Sequence, residues 1–348
     1  MKLLIRYSVA LIIFAIVAIS LFSWMKQQPL YRPGQAAKLD LTGSTAGNDS
    51  SWPVADGIVL NHFASGSGRN ILYIHGGPGI PTGESAPAFD ALADEFKVHY
   101  YDQRGTGRST RPFDVDVWSD STWPNIQKLE GTLGIAQQLA DIERIRRILG
   151  DEKLILVGHS YGALLASLYA AEFPEQVERL ILIAPADLLV FPSPYGDFFK
   201  NIRNRLSVDL QAEYDAWQTE YFDLGSIFTK TTVELESLDA RFGEFFGQAI
   251  GAVPEGNLGG IGVWHVRAQY FSLGQRHDWR EAISAYPGPV LILHGEQDVQ
   301  TIEVSQMYAK AFSKARVQTI SSSGHFPHYT QPEETTDALR HFLTENEV

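Results

Sequence analysis

Gly158-His159-Ser160-Tyr161-Gly162 is the stretch on which the reading of this chain turns. The branched apolar run Leu154-Ile155-Leu156-Val157 precedes it, and a helix-forming run from Ala163 to Ala171 follows. Strand, sharp turn and helix in that order make a nucleophile elbow, whose strained backbone lifts serine Oγ clear of the sheet. The flanking glycines are needed because a Cβ at either place would collide with the neighbouring strand or helix. The pentapeptide alone arises often by chance, and the strand before it and the helix after it give it meaning.

Outward from the elbow, strand-like runs alternate with helical patterns. Strands are predicted at Gly57 to Ala64, Ile71 to Ile74, Val98 to Tyr101, Leu180 to Ile183, Val290 to Leu293 and Val317 to Ile320. Helices are predicted at Ala86 to Phe96, Leu133 to Leu149 and Glu333 to Thr344. Such alternation calls for an α/β fold, a mostly parallel sheet with helices on both faces. Active sites of such sheets lie at the carboxyl ends of the strands. The alternation stops between 187 and 285, a helical and aromatic stretch that reads as an inserted helical cap. The folded core then comprises 56–186 and 286–348.

The chain has 348 residues, 44% hydrophobic and 20% charged, enough for one large core and an accessory cap. A formal net charge of −13 disfavours nucleic acid as a partner. With no cysteine, disulfides, thiolate catalysis and cysteine-ligated zinc are excluded. Lys2 and Arg6 precede an uncharged apolar run from Tyr7 to Met25. At 1.5 Å per residue it spans about 28 Å, close to the thickness of a bilayer's hydrocarbon core. No Ala-x-Ala-like exit follows, so residues 1–26 read as an uncleaved single-pass anchor rather than a cleaved signal. Residues 27–55, polar and rich in Gly and Ser, read as a flexible tether. The catalytic domain would then hang on the periplasmic or extracellular side.

A serine hydroxyl needs a base, and the base needs an acid to fix its tautomer. On an elbow-bearing sheet the acid comes next in the chain and the histidine last. Asp298, in the turn after the strand Val290 to Leu293, is the candidate acid, with Glu296 its rival. His325, after Gly324 and the last core strand, is the candidate base, with His328 its rival. The oxyanion needs backbone donors. Tyr161 N–H follows the nucleophile, and the loop His75-Gly76-Gly77-Pro78-Gly79 offers Gly77. Acyl transfer by these groups requires no cofactor and no metal.

Taken in order, His75-Gly76-Gly77-Pro78-Gly79, Asp102-Gln103-Arg104-Gly105-Thr106-Gly107-Arg108-Ser109, Asp141-Ile142-Glu143-Arg144-Ile145-Arg146, the elbow, Asp298 and Gly324-His325 resemble the proline iminopeptidase (prolyl aminopeptidase) family of α/β-hydrolases. The resemblance covers the core. It implies a serine hydrolase with Ser160, Asp298 and His325 as triad and Gly77 and Tyr161 as oxyanion hole. It also implies a peptide or other small-molecule substrate. Two departures stand out. The family's elbow often carries tryptophan where Tyr161 stands. Family aminopeptidases hold the substrate's ammonium with cap glutamates, one of them three residues before a Tyr-Phe pair. Here the pair is Tyr270-Phe271, and the residue three before is Arg267. A cation there repels an ammonium and favours a carboxylate or neutral group. Glu234, Glu236 and Glu244 are the carboxylates at hand to substitute. Arg267, Tyr270 and Glu234 are therefore the candidate substrate-binding residues, and an esterase, lactonase or amidase is the alternative activity.

Overall fold

The computed structural model describes residues 28–42, 47–113, 118–251 and 260–345. The run read as a membrane anchor, 1–26, lies outside them. Among the described residues no helix is long and apolar enough to cross a membrane.

The chain begins with β1 (Ser51–Ala55), β2 (Ile58–Gly66), β3 (Arg69–Ile74), α1 (Pro87–Asp90), β4 (Phe96–Tyr101), α2 (Thr122–Leu133) and α3 (Ile135–Leu149). The elbow strand β5 (Leu154–His159), the helix α4 (Tyr161–Glu172) and β6 (Val177–Ile183) follow. After β6 the path leaves the sheet through β7 (Val190–Phe191), α5 (Phe198–Arg205), α6 (Val208–Tyr221), α7 (Thr232–Ile250), α8 (Val263–Leu273), β8 (His277–Asp278) and α9 (Arg280–Ile283). It returns in β9 (Val290–Gly295), α10 (Ile302–Ala311), β10 (Ala315–Ile320), α11 (Pro327–Thr330) and α12 (Pro332–Thr344). The eight-stranded sheet has the order β1-β2-β4-β3-β5-β6-β9-β10. β2 pairs antiparallel with β1 and β4, and every other neighbour is parallel.

Pleating sends alternate side chains to opposite faces. Leu72 and Ile74, Leu154 and Leu156, Leu180 and Leu182, Val290 and Ile292 join α3, α4 and α10 in one core. Ile71 and Tyr73, Ile155 and Val157, Ile181 and Ile183, Leu291 and Leu293 join α1 and α12 in the other. β5 is buried along its whole length, as a central parallel strand must be. α4 is buried from Tyr161 through Ala170 and packs as an interior helix.

Two expectations need correction. The tether reading fails over the described part of 27–55. Tyr31 is fully buried, donates to Glu172 Oε1 at 2.6 Å, and its N–H donates to Ser272 O at 3.1 Å. Ser51–Ala55 form the edge strand, so polar composition here marks a segment pinned by long-range hydrogen bonds. The helix expected over Ala86 to Phe96 stops at Asp90. Ala93 O and Glu95 O instead accept from Ser67 N and Arg69 N in the β2–β3 turn, which ends the helical pattern.

Of the ten histidines, nine are buried. Burial is the main force holding His62 and His75 down to about 4, and His99, His159 and His265 to about 3. In the unfolded chain each regains an ordinary value near ~6.5. Below that value the unfolded state binds more protons, so these groups withdraw stability progressively as pH falls through the window down to their folded values. A urea-unfolding midpoint that drops continuously between pH 7 and 4.5 is expected. A flat profile over that range would show that these rings do not stay neutral in the folded protein.

Candidate active site

Ser160 lies between β5 and α4 with φ 54° and ψ −118°, outside the regions ordinary side chains prefer. Ser160 N donates to Ile183 O, and Ser160 O accepts from Ala163 N and Ala186 N, all near 3 Å. The strain is thus held by the next strand and the first turn of α4. A Cβ on Gly162 would lie 2.1 Å from Ile74 O, and one on Gly158 would lie 2.4 Å from Gly162 O. Both glycines are required by close backbone approach.

The turn after β9 brings Asp298 to His325, which follows β10. His325 Nδ1–H donates to Asp298 Oδ1 at 2.9 Å and lies 3.1 Å from Oδ2. Both side chains are buried. With the proton on Nδ1, the neutral ring carries its lone pair on Nε2. Burial alone would raise the Asp298 carboxyl. The His325 ring and the Gln300 N–H outweigh it and hold the group below the usual carboxylate range.

The rivals are engaged elsewhere. Glu296 accepts from Ser322 N at 3.0 Å on the surface. His328 shares a 3.0 Å hydrogen bond with Tyr73 OH. His159 donates from Nε2 to His325 O at 2.8 Å, so the residue before Ser160 ties the elbow to the backbone of His325.

The loop after β3 lies against the elbow. A Cβ on Gly76 would sit 2.9 Å from Ser160 Cβ, and Gly77 has φ +119°. His75 anchors this loop: its Nδ1–H donates to Gly76 O at 2.9 Å and its Nε2 accepts from Gln103 N at 3.1 Å. Tyr161 N–H heads α4 and has no acceptor within the helix. Its side-chain hydroxyl donates to Gln269 Oε1 at 2.8 Å. Arg104 is spent on structure, with Nε and Nη2 each 2.5 Å from an Asp141 oxygen.

Over the strand ends, the insertion touches each of these loops. Gly262 N donates to Gly79 O and Gly107 N to Gly260 O. Phe246 sets its ring edge-on to His325 at 5.6 Å. Phe246, Tyr214, Trp217, Tyr221 and Val266 form one apolar cluster with Val299 and Phe326, the residues after Asp298 and His325.

The three candidate substrate contacts fare differently. Arg267 is not a free cation. It is buried, its Nη1 lies 2.5 Å from both Asp239 oxygens, and its guanidinium sits 5.0 Å above the Tyr221 ring. Glu234 is corrected: it caps α7, accepting from Thr231 N at 2.7 Å at the exposed helix start. Tyr270 is half-buried in the insertion's aromatic cluster, its hydroxyl 3.5 Å from that of Tyr221. Glu236 and Glu244 are exposed and pair with Arg111 and Arg241. Asp239 was missed. Its signal was present in the sequence, an acid on the apolar stripe of Leu235, Leu238, Phe242 and Phe246, where burial demands a partner.

The α/β-hydrolase fold family matches residues 69–332, so the chain belongs to that family. The proline iminopeptidase of Saccharolobus solfataricus is 26% identical over 290 residues, 80% of this chain and 86% of that one. The solved proline iminopeptidase of Mycobacterium smegmatis aligns with TM-score 0.60 at 18% identity over 85% of this chain and 97% of that one. A thermophilic esterase from Thermogutta terrifontis (malate bound) aligns with TM-score 0.52 at 22% identity over 82% and 93%. The structural likenesses speak to the fold.

Proposed function

We propose that the protein is a serine hydrolase working through an acyl-enzyme. The observation that carries this is the buried His325–Asp298 pair, whose histidine backbone is tied through His159 to the elbow that holds Ser160 at φ 54°. Ser160 Oγ attacks the substrate carbonyl carbon while His325 Nε2 takes its proton. Asp298 orients the ring and stabilises the imidazolium. Gly77 and Tyr161 N–H groups receive the oxyanion. Collapse breaks the bond to the leaving amine or alcohol, which takes the proton from Nε2. Water, deprotonated by the same nitrogen, then cleaves the acyl-enzyme and frees Ser160.

For the substrate, the leading reading is release of an N-terminal residue, proline above all, from a short peptide. Relatedness to proline iminopeptidases supports it. So does Asp239, a buried carboxylate in the insertion that cancels the charge of Arg267 and with it the repulsion of an ammonium. The second reading, an esterase, lactonase or amidase of small acyl substrates, is favoured by the same pair seen from the other side. Arg267 already occupies Asp239, which leaves a neutral, aromatic surround. Prolyl p-nitroanilide and p-nitrophenyl acetate separate them. A larger kcat/KM for the anilide is expected. Turnover of the ester alone would move the assignment to the second reading.

A further inference from the structure

We propose that Asn201 and Arg205, on the first helix of the insertion, are positioning residues that hold the turn bearing Asp298, so that the insertion governs the acid–base pair. The proposal rests on the triad assigned above. The two residues are four apart on α5 and share a face. Arg205 Nη1 donates to Gln297 O at 3.0 Å and Nη2 to Asp298 O at 2.5 Å. Asn201 Nδ2 donates to Val299 O at 3.2 Å. One helical turn therefore takes three consecutive carbonyls of the acid's turn.

The core takes the other side of the same turn. Gln297 N donates to Ser323 O at 2.7 Å and Asp298 N to Gly295 O at 2.9 Å. Gln300 Oε1 accepts from Asp187 N at 2.7 Å, at the start of the insertion. N–H groups are thus held by Gly295 at the end of β9 and Ser323 in the loop after β10, and carbonyls by α5. Ile202, between the two donors, is fully buried, and with Leu206 it packs in the cluster that contains Val299 and Phe326. A bond from a guanidinium is charge-assisted, about twice as strong as a neutral one. Arg205 is itself exposed, so its replacement opens no cavity in the core. The consequence of losing it is then a looser carboxylate.

The test is Arg205→Met, with Arg205→Lys and Asp298→Asn beside it, on the chromogenic substrate that the unaltered enzyme hydrolyses. For Arg205→Met, kcat is expected to fall about 10- to 100-fold, the range for a displacement approaching 1 Å in a catalytic group. KM should stay within about threefold and the unfolding midpoint close to that of the unaltered protein. A weaker carboxylate contact stabilises the imidazolium less, so the acid limb of the kcat/KM profile should move to lower pH. Arg205→Lys, which keeps charge and one donor, should recover part of kcat. Adding Arg205→Met to Asp298→Asn should cost little more, since both act through one group. Unchanged kcat and pH profile in Arg205→Met, with Asp298→Asn inactive, would overturn the positioning role alone. Full activity in Asp298→Asn would overturn the triad beneath it.

Discussion

Ser160→Ala is expected to lower kcat by roughly 10⁵–10⁶-fold, the scale on which loss of a serine nucleophile removes the whole acyl-enzyme route. It should also abolish labelling by a fluorophosphonate probe, which reacts with the activated hydroxyl. The variant is a clean one. Ser160 serves the fold through its backbone, donating to Ile183 O and accepting from Ala163 N and Ala186 N. Alanine keeps the Cβ, and with it the steric strain of φ 54°. The unfolding midpoint should therefore stay close to that of the unaltered protein. Residual turnover at background level is compatible with the remaining oxyanion donors. Undiminished labelling would show that another residue is the nucleophile, and the acyl-enzyme reading would go with it.

The parts of this site that were legible in the sequence are those fixed locally. Leu154 to Val157 cannot be other than a buried strand, and Gly158 and Gly162 are demanded by approaches of 2.4 and 2.1 Å that only a strand–turn–helix creates. Asp298 and Gly324-His325 follow strands whose apolar runs are as plain, and chain order supplies the roles proposed for them. What stayed hidden depends on partners far away in sequence. Arg267 looked like a cation aimed at substrate because its partner, Asp239, is 28 residues off and meets it only once α7 and α8 pack. Glu234 looked free for binding because a capping box and a substrate contact use the same acid, and only the geometry at Thr231 separates them. Tyr31 lay in a stretch of tether-like composition and is pinned by Glu172, 141 residues away. The helix α2 also went unread: Gly131 and a polar, partly exposed surface mask its apolar positions, Leu129 and Leu133, which pack on α8.

Arg267→Met is expected to destabilise the protein by about 3–5 kcal/mol, because it leaves Asp239 buried and uncompensated. Asp239→Leu should cost a similar amount by stranding the guanidinium. Burial already pushes the Asp239 carboxyl up against the pull of Arg267, so desolvation absorbs much of the attraction between them. Arg267 Nη2 has no hydrogen-bond partner among the described residues, and the pair is incompletely satisfied. Both facts predict that the double variant Arg267→Met/Asp239→Leu recovers most of the loss, as apolar replacements of buried ion pairs often do. Urea unfolding of the four proteins closes the cycle, and two additive losses would sink the pairing argument. The double variant then reports on substrate without a defect in folding. If Asp239 exchanges Arg267 for the ammonium of a peptide, the stable double variant loses prolyl anilide turnover and keeps ester turnover. If the pair only fastens α7 to α8, both activities survive, and recognition of the N-terminus must come from elsewhere in the insertion.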